Sequence, residues 1–339
     1  MGGLDDSVGP STLANLAPSG EVRISDLADS AQPPDLDAQQ DRIYLDDLRL
    51  ATDFVKNLQQ ATLSDLGLGL SDEALEHPCN APHMPPHDGV DKIALMAVEL
   101  YMINPSEDTY KTHHVFILKH FGTDLPLYYK VKKLVSNLTG IELLVHDMCV
   151  NSCLVYTGPF SELDACPICS ESRYDQHRSS EGKRIPRKEF HTIPIGPQLQ
   201  ALYRSPESAS HAHYLCQERS RVLSEIEREG YLKEYSDVLH GSDLIEAFKH
   251  GRIGADDIVL MFSIDGAQLY AMKASACWIY IWVLFNLPPV LHYKKKHVFI
   301  GGFIPGPNNL KNLDLFLFPG LQHLVTLQKE GLQIWDAKL

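Results

Sequence analysis

Cys149, Cys153, Cys166 and Cys169 place four of the chain's seven cysteines within 21 positions, in the stretch CVNSCLVYTGPFSELDACPIC. Three residues separate the first pair, two separate the second, and twelve lie between the pairs. A close pair on a turn offers two thiolates to one ion, and the intervening loop can bring the other pair back to close a tetrahedral shell. That is the arrangement of structural zinc, with Zn–S bonds of about 2.3 Å. Four sulfurs leave no position for water, so the expected metal holds a fold together and does not hydrolyse. A thioredoxin-like role for CPIC needs a βαβ setting that the flanking sequence lacks. His146 and His177 are substitute ligands, less well placed than the thiols.

A second chemistry is signalled by Asp265. The segment DDIVLMFSIDG rises from two acids through a β-rich apolar run to Asp265 and Gly266, the way a central strand delivers a carboxylate to the edge of a sheet. CWIYIWVLFNLPP and KKKHVFIGGFIPGPNN read as two further strands. LDLFLFPGLQHLVTLQKEGLQIW reads as a helix interrupted or begun near Pro319 and ended near Gly331. Three strands followed by a helix, with an aspartate on the first, is the opening half of a ribonuclease H-like nuclease domain. After Asp265 the acids are Asp314, Glu330 and Asp336. The first two fall on or beside the helix as capping or solvent residues, and Asp336 stands where a fourth strand would begin.

Between the cysteines and that domain lies SRYDQHRSSEGKRIPRKEFH, which carries Arg173, Arg178, Lys183, Arg184, Arg187 and Lys188. It reads equally as a phosphate-facing segment and as a solvated linker. Lys130, Lys132 and Lys133 form a shorter run, read as the wet face of a helix.

The elements that must position these groups emerge from composition and periodicity. The 339 residues carry a formal charge of -14, but residues 1–90 hold 16 Asp/Glu against 4 Lys/Arg, which leaves 28 against 26 for the other 249. The acidity therefore belongs to a leader mixing Pro, Gly, Ser and Asp, expected to stay disordered over 1–90 because it buries too little apolar surface to offset chain entropy. Its closing tract, EHPCNAPHMPPHDG, reads as a linker. Residues 91–145 read as a helical region, 146–190 as the zinc module with its basic tail, 191–250 as a helical connector and 251–339 as the partial nuclease domain. Ser205-Pro206-Glu207 starts a helical pattern that ends near Gly230. The fold class expected is α+β or α/β. The opening MGGLDDS lacks the basic and apolar regions expected of a signal peptide, and ACWIYIWVLF is about half the length of a bilayer crossing. The expected address is intracellular, without a membrane partner, and there clustered cysteines stay reduced and available to metal.

The segments HDMCVNSCLVYTGPFSELDACPICSESRYD, VLMFSIDGAQLY, CWIYIWVLFNLPP, GGFIPGPNNLKNLDLFLFPGL and LQKEGLQIWDA resemble the CACTA (En/Spm-type) transposase family, in particular copies from mushroom-forming fungi, in matching order from about residue 95 to 339. The resemblance implies a zinc-binding module ahead of a DDE-type nuclease that cuts transposon ends and joins them to target DNA in the nucleus. Asp265 then matches the first catalytic carboxylate, and the four cysteines match the metal ligands. Two Mg²⁺ or Mn²⁺ ions would need three carboxylates. The family's later Asp and Glu have no match before Leu339, so the expectation is a truncated copy unable to cut DNA alone, prone to self-association or to pairing with a completing chain. The alternative is a zinc-stabilised DNA- or protein-binding module without catalysis.

Overall fold

The computed structural model describes residues 46–62, 91–103, 106–179, 183–268, 276–306, 310 and 312–338. The chain divides into two units at Thr52/Asp53, and the second, Asp53–Leu339, contains the sheet, the cysteines and Asp265.

Short runs rich in β-branched and aromatic residues pair into one five-stranded sheet. Its strands are β1 (Leu144–Asp147), β2 (Glu189–Thr192), β3 (Leu260–Gln268), β4 (Ala276–Leu284) and β5 (Val298–Pro305). They lie in the order β1-β2-β5-β4-β3, every neighbouring pair antiparallel. The strands and helix expected over 251–339 are therefore present. The strand bearing Asp265 is not central, however. Among the described strands β3 lies at the edge, paired on one side with β4 from Leu260↔Leu284 to Gln268↔Ala276. An apolar run reports that a strand is partly covered; it does not report the strand's lateral place in the sheet.

β1 begins inside the region whose periodicity reads as helical. It pairs with β2 from Leu144↔Thr192 to Asp147↔Glu189, and β2 in turn joins β5 through His191↔Phe303 and Thr192↔Gly302. The cysteine module is thus an insertion between two adjacent strands of the sheet, sharing its framework with residues 251–339. The junction depends on two glycines. The register between β4 and β5 shifts at Tyr280/Ile281, with Tyr280 opposite Gly302 and Ile281 opposite Ile300, so Gly301 bulges. A Cβ at Gly301 would lie 2.2 Å from the Tyr280 ring, and one at Gly302 would lie 2.5 Å from the His191 carbonyl oxygen. The Gly301 carbonyl accepts the Ile193 N–H at 2.8 Å, and the Gln198 amide donates to the Ile300 carbonyl at 2.9 Å.

Helix α1 (Asp46–Gln60) falls inside the stretch expected to lack structure. Composition averaged over 90 residues hides a short amphipathic segment. Phe54 stacks on Phe318 at 5.1 Å, and the Lys329 ammonium donates to the carbonyls of Leu58 (3.2 Å), Gln59 and Ala61 (3.4 Å) at the helix end. The rest of that leader, including Cys79 and its neighbouring histidines, lies outside the described residues.

Helices α2 (Lys92–Ile103), α3 (Glu107–Phe121) and α4 (Tyr128–Thr139) form a small unit around Ala97, Tyr110, Leu125 and Val131. α3 and α4 end at Gly122 and Gly140, both left-handed, each with its N–H capping a carbonyl of the last turn. The helical pattern read after Ser205 splits at His213 into α6 (Pro206–Ala212) and α7 (Tyr214–Glu229), preceded by α5 (Ile195–Tyr203) and succeeded by α8 (Ser242–Lys249). Ser205 caps α6 through its hydroxyl, as its spacing predicts. The final helix, α9 (Leu313–Glu330), accommodates Pro319 internally and ends at Gly331. Together α5, α9 and the β4–β5 hairpin bury Ile195, Leu199, Trp282, Leu284, Phe299 and Leu327.

Candidate metal centre

The two cysteine pairs look unlike in sequence, yet their backbones share one frame. Each knuckle is closed by a single antiparallel bridge, Met148↔Val155 and Ala165↔Ser172, enclosing six residues in both cases. In each, the first cysteine's N–H donates to the last enclosed carbonyl, Cys149 to Leu154 and Cys166 to Glu171, both at 2.9 Å. Each also contains a serine in left-handed conformation, Ser152 at φ 56° and Ser170 at φ 59°. The difference is order. In the first knuckle the serine precedes the second cysteine, and in the second it comes after, which converts one frame into CxxxC and CxxC. Glycine is the usual occupant of such a position, so sequence patterns keyed to glycine do not mark these serines.

The frames bring all four Sγ atoms within 4.8 Å of one another, with Cys149 and Cys169 at 3.4 Å. Four sulfurs around one zinc at about 2.3 Å would lie about 3.8 Å apart, so this cluster needs only small adjustment to close on an ion. The donor set fits a thiophilic cation. Cys149, Cys153 and Cys166 are buried, within a core that also takes in Met148, Tyr156, Phe190, Ile304 and Phe316. Burial and the neighbouring thiols push Cys153 up to about 12, and burial raises Cys166. At Cys169 burial also raises the pKa. The Glu171 N–H, the Asn151 amide and the neighbouring thiols outweigh it and bring the thiol down to about 7. Ionisation is thus favoured at one sulfur and resisted at two, where a cation would displace the protons. Lys188 donates to the Ser152 hydroxyl at 2.9 Å, placing an ammonium on the first knuckle; burial lowers its pKa and Cys149 raises it. His146 and His177 stand outside the cluster. His146 stacks on Phe190 at 5.0 Å, and His177 is exposed.

Asp265 is exposed on β3, opposite Ile279, and its carboxylate accepts the Gly266 N–H at 2.7 Å. Among the described residues no further Asp, Glu, His or Cys side chains gather with it into a group of three. Asp314 occupies the first turn of α9 and Glu330 its last residue. Asp336 pairs with His213 at 2.6 Å, and no strand begins there. A two-metal carboxylate centre therefore does not fit the described residues.

Residues 243–339 match the sequence model of a family described as Transposase family tnp2. The match supports a transposase family for the stretch running from α8 through β3, β4, β5 and α9, and it includes Asp265. The four cysteines lie outside it. No curated protein and no solved structure matches the chain.

Of the six basic residues between the cysteines and this transposase-like stretch, four are engaged within the module. Arg173 is clamped to Asp147 at 2.6 Å, donates to the carbonyls of Ser161 (2.6 Å) and Leu163 (3.3 Å), and stacks over Tyr156 at 4.8 Å. Arg184 pairs with Asp164 at 2.9 Å, Arg187 with Glu171 at 2.5 Å, and Lys188 with Ser152. Arg178 and Lys183 are exposed. No described helix is long and apolar enough to cross a membrane.

Proposed function

We propose that this protein is a transposon-derived, transposase-like DNA-binding protein of CACTA type whose cysteine module holds a structural zinc ion. The match over residues 243–339 carries the reading. Cys149, Cys153, Cys166 and Cys169 would hold the ion, which would supply no chemistry beyond cross-linking two knuckles. The shared core supports this role, because the sulfurs pack against the side chains that join β2, β5 and α9.

In this reading Asp265 is the first carboxylate of a DDE nuclease centre. The exposed edge of β3 is where further strands and their acids would complete a ribonuclease H-like domain, and strand cleavage and transfer require that completion by another chain or segment. DNA is the partner, through Arg178 and Lys183 with the paired arginines in reserve, and the nucleus is the working compartment. The test combines two measurements on the purified chain. Metal analysis should give one zinc per chain, and a Mg²⁺-dependent nicking assay should show no activity from this chain alone. Absence of zinc from reduced, folded protein would overturn the metal assignment. Nicking that survives Asp265→Asn would overturn the catalytic one.

A further inference from the structure

By sequence, Lys294, Lys295 and Lys296 belong to the strand read over KKKHVFIGGFIPGPNN, but β5 begins only at Val298. In the structure residues 285–297 form a fixed platform. Leu287, Leu291, His292 and His297 are buried, the His292 ring donates to the Leu287 carbonyl at 2.6 Å, and successive turns close through Leu291 N–H to Pro288, Lys294 N–H to Leu291 and His297 N–H to Lys294. At its base Asn286 accepts the Val259 N–H and donates to the Asp257 carbonyl, both at 2.8 Å. Val290 is exposed on the turn, and Tyr293, Lys294, Lys295 and Lys296 are left exposed in succession.

None of the ion pairs among the described residues uses these lysines. In a chain of net charge -14, three consecutive uncompensated cations on a rigid turn are a local reversal of sign. The charges that act on buried His297 are Lys296, His211 and Lys294, opposed by the carboxylate of Glu207. Along β4 the turn begins six residues beyond Ile279, the partner of Asp265, or about 20 Å. A phosphate backbone is the polyanion whose repeat suits such a row, and an exposed tyrosine beside it adds a hydrogen-bond donor to phosphate.

We infer that Tyr293, Lys294, Lys295 and Lys296 form a backbone-contact site for duplex DNA, the contact that sets the duplex against the sheet. The inference rests on the reading that the protein acts on DNA, and the experiment separates the two. Binding of the full chain to a duplex of about 30 base pairs is measured by anisotropy between about 50 and 200 mM salt, for the wild type and for the triple variant Lys294→Ala/Lys295→Ala/Lys296→Ala. Losing three phosphate contacts flattens the salt response, so the wild type should lose about 40-fold more affinity across that range than the variant. Lys→Arg at all three positions should restore the wild-type slope, and the pair Arg178→Ala/Lys183→Ala should change it by less. A wild-type chain that binds DNA with the slope unchanged in the triple alanine variant overturns this site and leaves the DNA reading standing. A folded wild-type chain that binds no duplex at the lowest salt overturns both. Tighter binding to an RNA duplex of equal length overturns DNA as the occupant.

Discussion

The cysteine module and the Asp265 strand stand at opposite edges of one sheet, and each presents residues with metal-ligand chemistry. At the β1–β2 edge the ligand set is complete within 21 residues, because two local hairpin frames deliver it. At the β3 edge one carboxylate stands exposed, with no described companions. A structural site can be built by turns, which are local. A catalytic carboxylate set needs strands and helices from separate parts of a chain, and it is complete only when the whole layer is.

The largest expected effect tests whether the complete edge depends on its metal. Chelation, or Cys153→Ser, should abolish cooperative unfolding of the module and expose Phe190, Ile304 and Phe316, which share its core. Zinc-finger peptides gain about 10–16 kcal/mol from the metal, comparable to or above a domain's net stability of about 5–15 kcal/mol. Thermal melts by near-ultraviolet circular dichroism, with and without chelator, read this directly. A melt indifferent to chelator would remove the distinction between the two edges.

The next effect separates the module from the sheet. Gly302→Ala forces a Cβ to within 2.5 Å of the His191 carbonyl and of the Tyr280 ring, so about 3 kcal/mol of stability or more should be lost. Urea unfolding measures the loss. Zinc content should nonetheless stay at one per chain, because the knuckle hydrogen bonds do not involve Gly302.

Much of this edge is legible in the sequence, for a physical reason. Cys149, Cys153, Cys166 and Cys169 lie close along the chain, and turn geometry sets their spacing. The three strands and the last helix of the 243–339 region are legible from their β-branched runs and from Gly331. What is not legible is lateral. A four-residue strand such as Leu144–Asp147 has too few alternations to declare itself, and the pairing of β2 with β5 joins residues over 100 positions apart. For the same reason Arg173 reads as a free cation, since its partner Asp147 lies 26 residues away. The lysines at 294–296 are visible in the sequence, but their freedom from carboxylates is a fact of three dimensions.

Acid should stress the fold through buried imidazoles on β1 and α9. His323 on α9 accepts the Gly196 N–H at 3.2 Å and is almost wholly buried, which pulls its pKa down to about 4; burial and His191 bring His146 on β1 down to about 4 as well. Well above pH 6.5 both are neutral in either state and contribute no slope. Between 6.5 and 4 the unfolded chain binds protons that the folded one refuses, so stability falls as pH falls, by about 3 kcal/mol at most for each histidine. Chemical denaturation at stepped pH should show that slope, reduced but not abolished in His323→Gln, which keeps an acceptor for Gly196 and leaves His146 and the also depressed His297 in place.

A smaller effect distinguishes clamp from surface within the basic tail. Arg173→Ala removes a partly buried pair with Asp147 and two carbonyl contacts, at a cost of about 2 kcal/mol. Arg178→Ala, on an exposed side chain, should stay within about 0.5 kcal/mol. Equal losses would mean that the tail is one structural unit, with nothing left over for phosphate.

The smallest effect on stability belongs to Asp265. Its side chain is exposed on an edge strand, and its hydrogen bond is to its neighbour's N–H, so Asp265→Asn should change unfolding by less than about 0.5 kcal/mol. That neutrality is what makes the variant informative. A carboxylate kept for the fold would announce itself in the melt, whereas one waiting for companion acids would be silent there and decisive only in Mg²⁺-dependent nicking once a completing chain is added. If the variant proves strongly destabilising, β3 is already a finished edge, and its aspartate belongs to the scaffold.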